Sequence, residues 1–367
     1  MKILRYAVLV VAITMGSSTI KAQIEGELTE AEQHFKDSIE SLNLDFATVG
    51  KAKEAYNRGI EHFKQEEYDK AISEFDESVA LFPRFLNAYF NRGVSNLILK
   101  NHKKAVADFS IVIDSNNTKA SAYFKRAEAY ASMGSYAECM ADYRKVIQLQ
   151  PNNEKAFYNL GDILFLEGNY EEAMKEFTKA IVIDKNYTYA YNDRGSCYRR
   201  LEQYSDALID YNRAVAISPK MAFIYNNIGS TKKNMNDYAG AISSYNNAIT
   251  AEPDFYLAYN NRGTIYFQQG KLAEALSDFD QAIKINPKYA PAHSNRGAIM
   301  HKQEKYKEAL AAYDKAIQYD SNHANAYLNR GITKEMLRDE SGACMDWSKA
   351  RKLGLSLGKK YYINNCN

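Results

Sequence analysis

The sequence predicts an all-α solenoid: nine gapless 34-residue helix-turn-helix repeats in a row, with a capping helix at each end. Three observations predict it. First, glycine recurs at Gly59, Gly93, Gly161, Gly195, Gly229, Gly263, Gly297 and Gly331, with every gap 34 or 68 residues and Ala127 at the missing position. Second, counting offsets from that position, +12 is small in every copy: Ala71, Ala105, Cys139, Ala173, Ala207, Ala241, Ala275, Ala309 and Ala343. Third, +16 is aromatic in every copy: Phe75, Phe109, Tyr143, Phe177, Tyr211, Tyr245, Phe279, Tyr313 and Trp347. A fixed period of this length marks units that cannot bury their apolar faces alone and stack to do so.

Each repeat reads as two helices joined by a short turn, such as Phe267-Gln-Gln-Gly-Lys271. In the second helix of that repeat, Ala275, Leu276, Phe279, Ala282 and Ile283 fall on one helical stripe. Glycine at zero and alanine at +12 let two helix backbones approach closely, and the aromatic at +16 fills the space beside them. Proline at +24 (Pro83, Pro151, Pro219, Pro253 and Pro287) ends the second helix by pushing the preceding residue off helical angles.

This pattern resembles the tetratricopeptide repeat (TPR) family from Ala52 to Leu357. The family's first-helix Trp is absent, and +3 is Tyr only at Tyr130, Tyr198 and Tyr266. The resemblance implies a right-handed superhelix whose first helices line a concave groove, with the second helices outside. It also implies a protein or peptide partner. The terminal stretch from Gly342 through Trp347 to Cys366 is similar to the endings of secreted bacterial TPR proteins.

The ends are organised differently. Residues 1–22 read as a signal peptide: Lys2 and Arg5, an apolar run from Tyr6 to Met15, then a break at Gly16-Ser17-Ser18 and cleavage after Ala22. That run is too short to span about 30 Å of hydrocarbon. No cysteine follows it for lipid attachment, and no later run approaches a membrane span. The mature chain is therefore expected in the periplasm or secreted. Residues 23–51 form an acidic lead-in, with seven acids between residues 24 and 50 against Lys36. Within it Leu28, Ala31, Phe35, Ile39, Leu42 and Phe46 fall at helical spacing, and Thr29 with Glu32 makes a capping box. The alternative is a disordered acidic arm. Residues 52–357 hold the repeats, and 358–367 a closing helix and tail.

Composition and motifs exclude most chemistry. Removing residues 1–22 leaves 44 basic against 45 acidic residues, which gives no electrostatic footprint for nucleic acid. The six histidines make no HxxxH pair, and no phosphate loop, nucleophile elbow or Cys-x-x-Cys is present. No catalytic residue, metal site or cofactor is expected. An enzyme would need a site built from unusual groove residues.

Two polar ladders stand out. Offset −1 is Arg58, Arg92, Arg126, Arg194, Arg262, Arg296 and Arg330, and +15 carries an acid in six of those repeats, Glu74, Asp108, Asp142, Asp210, Asp278 and Asp346. Repeat six loses both partners together, with Ile228 and Ser244. The arginines are therefore expected to form ion pairs between the two helices of each repeat rather than a basic strip. Offset −2 is Asn57, Asn91, Asn159, Asn227, Asn261, Asn295 and Asn329, interrupted by Lys125 and Asp193. Asn is a mediocre helix former, so its repetition needs a reason. The ladder is similar to those with which TPR superhelices bind extended peptide backbones, since an amide both donates and accepts. The other reading is that these amides bind adjacent helices or water. If they serve only a ligand, alanine there should keep or raise helix stability. No repeat carries Lys at −3, so the carboxylate clamp for chaperone tails is not supported.

Cys344 lies near the start of the last second helix, and Gly354 is a natural helix stop. A closing helix running back from there brings Cys366 beside Cys344, so these two are expected to form a disulfide while Cys139 and Cys197 remain thiols. The reading reached is a binding scaffold of the cell envelope that holds a peptide segment or partner subunit. The rival is an assembly factor that uses its convex face. The sequence names neither the partner nor an oligomeric state.

Overall fold

The computed structural model describes residues 46–366. The expected signal peptide lies outside them, as does the expected lead-in helix apart from its last residue, Phe46. All regular structure among the described residues is α-helical. The chain divides into two compact units, Met1–Pro151 and Asn152–Asn367.

The described part of the first unit is three helix pairs: α1 (Phe46–Lys64) with α2 (Tyr68–Leu81), α3 (Leu86–Ile98) with α4 (His102–Ser115), and α5 (Ala120–Ser132) with α6 (Tyr136–Leu149). The first helix extends before residue 52, the start that the repeat register gives. Helix α1 begins at Phe46, so the end of the lead-in segment is the opening of the first repeat helix. The stretch Ala47-Thr48-Val49-Gly50-Lys51 holds no proline to stop a helix, and a methyl group on Gly50 would meet nothing within 4 Å.

The second unit is six pairs and a closing helix. The pairs are α7 (Glu154–Leu166) with α8 (Tyr170–Ile183), α9 (Thr188–Arg200) with α10 (Tyr204–Ile217), and α11 (Ala222–Asn234) with α12 (Tyr238–Ala251). They continue as α13 (Tyr256–Gln268) with α14 (Leu272–Ile285), α15 (Ala290–Lys302) with α16 (Tyr306–Tyr319), and α17 (Ala324–Met336) with α18 (Glu340–Lys352). The closing helix is α19 (Ser356–Asn365). Within each unit, each helix packs on its neighbours along the chain.

The register residues form the core. Every +12 side chain from Ala71 to Ala343 is fully buried, and no +16 aromatic exceeds 3% exposure. Glycine at zero is a packing requirement: a methyl group on Gly229 would lie 2.6 Å from Tyr245 Cε1, and one on Gly263 2.9 Å from Phe279 Cε1. Ala127 shows that one methyl can be absorbed where the facing ring is Tyr143.

The turn inside each repeat has a rule that the glycine at zero does not reveal. The residue at +7 adopts positive φ in all nine pairs, at Gly134, Gly168 and Gly270 but also at Glu66, Lys100, Glu202, Asn236, Glu304 and Arg338. It closes the first helix in a Schellman arrangement, for example with Lys271 N–H donating to Tyr266 C=O at 2.9 Å.

At the C-terminal end, α19 seals the last pair. Gly358 sits against Ala350, the Tyr361 ring is 5.2 Å from that of Trp347, and Arg351 lies 4.3 Å over the Tyr362 ring. Cys344 and Cys366 have their Cα atoms 5.6 Å apart and are joined as a disulfide. Cys139 and Cys197 are buried.

Candidate peptide-binding face

The arginines at −1 turn inward to tie helices together. Arg262 donates from Nε and Nη2 to the two carboxylate oxygens of Asp278, at 2.9 and 2.6 Å. The same fork joins Arg92 to Asp108, Arg126 to Asp142, Arg194 to Asp210 and Arg330 to Asp346, and Arg58 reaches Glu74 through Nε. Each such bond raises the guanidinium pKa, with Asp278 the main cause at Arg262. Asp108 moves the other way from an ordinary salt-bridged acid. Burial outweighs Arg92 and lifts its carboxyl above the usual range.

The sequence reading missed the second arm of this fork. Nη1 of five of these arginines reaches back to offset +17 of the preceding second helix: Arg92 to Asp76, Arg126 to Ser110, Arg194 to Thr178, Arg262 to Asn246 and Arg330 to Asp314. Arg296, which faces Ala312, makes only that backward bond, from Nε to Asp280 at 2.8 Å. The available signal was a polar column at +17, in register with the arginines one repeat later.

The asparagines at −2 do not all play one role. Asn57 is exposed, while Asn159 and Asn329 are half-buried. In the first unit Asn91 Nδ2 donates to Tyr56 Oη at 2.9 Å. In the second unit Asn227 donates to Asn192 Oδ1, Asn261 to Asn226 Oδ1 and Asn295 to Asn260 Oδ1, at 2.9, 2.9 and 3.0 Å. Each donor meets offset −3 of the preceding repeat. Asp193 heads this seam, accepting from Tyr158 Oη at 2.7 Å and from Asn192 Nδ2 at 2.8 Å. Burial raises its pKa.

One N–H of each of Asn91, Asn227, Asn261 and Asn295 is therefore committed to the neighbouring repeat. An Asn side chain has two donors and an acceptor. The second N–H and Oδ1 of half-buried Asn227, Asn261 and Asn295 form no bond to a described residue. The tie fixes the direction of each amide and leaves a donor and an acceptor in register along the face.

Four helical residues before the ladder, offset −6 carries Tyr189, Phe223, Leu257 and Pro291 on the same face. Tyr189 is 47% exposed, and its ring stacks on Phe223 with centroids 6.1 Å apart and planes 8° apart. This apolar column also went unread in the sequence, because no single residue type marks it.

Among the described residues no three His, Cys, Asp or Glu side chains come together in a metal-holding group. No helix there is long and apolar enough to cross a membrane.

Models of the TPR or tetratricopeptide repeat match residues 56–120, 128–166, 154–220, 233–270, 263–304 and 299–337. On these matches and the helix pairs above, the chain belongs to the tetratricopeptide repeat family, whose repeats generally mediate protein–protein interaction. No curated protein matches the sequence. Among solved structures, a tetratricopeptide repeat protein from Parabacteroides merdae ATCC 43184 is 19% identical, with a TM-score of 0.55 over 68% of this chain and 99% of that one. The APC/C hetero-tetramer Cut9–Hcn1 gives 12% identity and a TM-score of 0.56 over 86% of this chain and 76% of that one. Pseudomonas aeruginosa pilF gives 21% and 0.51 over 57% and 96%. At these identities the likeness is one of fold.

Proposed function

We propose that the chain is a non-catalytic scaffold of the cell envelope that holds an extended peptide segment of a partner along the first-helix face of its repeats. The observation that carries this reading is the amide series Asn227, Asn261 and Asn295. Each is oriented by the preceding repeat, and each keeps one donor and one acceptor for a peptide bond. Such pre-orientation lowers the ordering cost of binding. The envelope location rests on the leader-like residues 1–22 and on a disulfide at Cys344 and Cys366, which an oxidising compartment sustains.

The ties change what alanine does there. Replacing Asn227, Asn261 and Asn295 by Ala gains about half a kcal/mol of helix propensity per site but loses a hydrogen bond of about 1 kcal/mol. The variant should therefore be slightly less stable, not more. The control is Asn192→Ala/Asn226→Ala/Asn260→Ala, which breaks the same three bonds from the other side and keeps the ladder amides. Peptides selected on the mature chain should bind the ladder variant much more weakly than the control. Equal losses in both would make the ladder structural and end this reading.

A second reading has its own observation. Val182, Ile209 and Met345 on second helices are 69%, 67% and 72% exposed, which suits an assembly factor that docks through its second-helix surface.

A further inference from the structure

Charge is distributed unequally on the four first helices α9, α11, α13 and α15. They contain a single acid, Asp193. Three of their arginines, Arg194, Arg262 and Arg296, are spent on second-helix carboxylates. The remaining cations, Arg199, Arg200, Lys232, Lys233 and Lys302, form no ion pair with a described residue. Four of them crowd the last turns of adjacent helices α9 and α11. Arg199 donates to Tyr211 Oη at 3.4 Å, Arg200 is exposed, and Lys232 and Lys233 are half-exposed.

Cations at a helix C-terminus complement the helix dipole. That alone does not account for the cluster, since α13 stacks in the same array and ends Tyr266-Phe267-Gln268 without one. The same two helices carry the Tyr189–Phe223 stack at their other ends. From offset −6 to +4 is ten residues, or about 15 Å along a helix. An extended chain advances roughly 3.3 Å per residue, so about 15 Å is four or five residues.

We infer that the occupant of this face is an acidic peptide segment. Its Asp or Glu side chains pair with the cations that end α9 and α11. An aromatic or large apolar side chain four or five residues away rests on Tyr189 and Phe223. This deepens the peptide-scaffold reading and rests on it. Charge complementarity selects the segment and speeds its arrival, while Asn227, between the ring stack and the cations on α11, meets its backbone without regard to sequence.

The test is selection of a random dodecapeptide library, displayed on phage, on the immobilised mature chain. The expected result is enrichment of peptides with Asp or Glu four or five residues from an aromatic or large apolar residue. Arg200→Glu/Lys232→Glu/Lys233→Glu should bind those peptides at least about tenfold more weakly. A second variant, Lys175→Glu/Lys315→Glu, makes a charge change of the same sign on second helices and should bind them as the parent does. Thermal melts of both variants show that the fold is retained. Enrichment of basic or uncharged peptides overturns the acidic-segment inference and leaves the scaffold reading standing. No enrichment over the bare support overturns both. Undiminished binding by the first-helix variant, or an equal loss in the second-helix variant, overturns the assignment to α9 and α11.

Discussion

An arginine that reaches partners on two different helices ties repeats together, and such a residue is unavailable to a ligand. Arg262 has this form, bonded to Asp278 in its own repeat and to Asn246 in the one before. A double-mutant cycle on Arg262 and Asp278 should give a coupling on the order of 0.5–3 kcal/mol, measured by urea unfolding. Removing either partner alone should cost more than removing both, because a charge is left half-buried without its mate. The same cycle on Arg296 and Asp280, exposed at 37% and 51%, should give about 1 kcal/mol or less. Additive effects at Arg262 and Asp278 would mean the arginine is not engaged there. This pair was legible in the sequence because Ile228 and Ser244 replace both members together in repeat six. The arm to Asn246 was not, because it joins different repeats and its partner is variously Asp, Ser, Thr or Asn. The −3 partners of the asparagines were hidden for the same reason: they change from Tyr56 to Asn192 while the bond stays the same.

At the scale of the element, the first helices, second helices and turns were predictable because glycine, alanine and the aromatic recur without an insertion. The left-handed residue at +7 was less visible, since only three of its nine occupants are glycine. The extension of α1 back to Phe46 was not marked in the sequence, since nothing local stops a helix between Phe46 and Ala52. The closing helix shows how a short element is held. Of its residues only Gly358 is buried, and Tyr361 and Tyr362 supply most of its apolar contact. The Cys344–Cys366 link closes a loop with a sequence separation of 22. Its loss through Cys344→Ser/Cys366→Ser should cost about 3 kcal/mol of stability in the last repeat, by constraint of the unfolded chain. Hydrogen exchange should then rise in α19 and α18 first. Mass spectrometry of exported protein alkylated without reductant should find both residues unlabelled. Labelled Cys344 and Cys366 would refute the bond.

Across the whole molecule, polar residues divide by use. Those at −1, +15 and +17 are internal ties, buried at most of the +15 positions and exposed at most of the +17 positions, and the ladder amides at −2 are half tie and half surface. Bonding groups with no partner among the described residues recur at the ends and faces of the first helices, as at Asn227, Asn261 and Asn295. On the proposed function the first helices would bind the partner and the second helices support them. The measurement that tests this most directly is site-specific photocrosslinking in intact cells, with a photoreactive phenylalanine analogue at Phe223 or Leu257 on first helices, or at Val182 or Ile209 on second helices. The first two positions should yield a shared adduct, lost when Asn227, Asn261 and Asn295 are replaced by Ala. Adducts only from Val182 and Ile209 would contradict the account and place the partner on the second-helix surface.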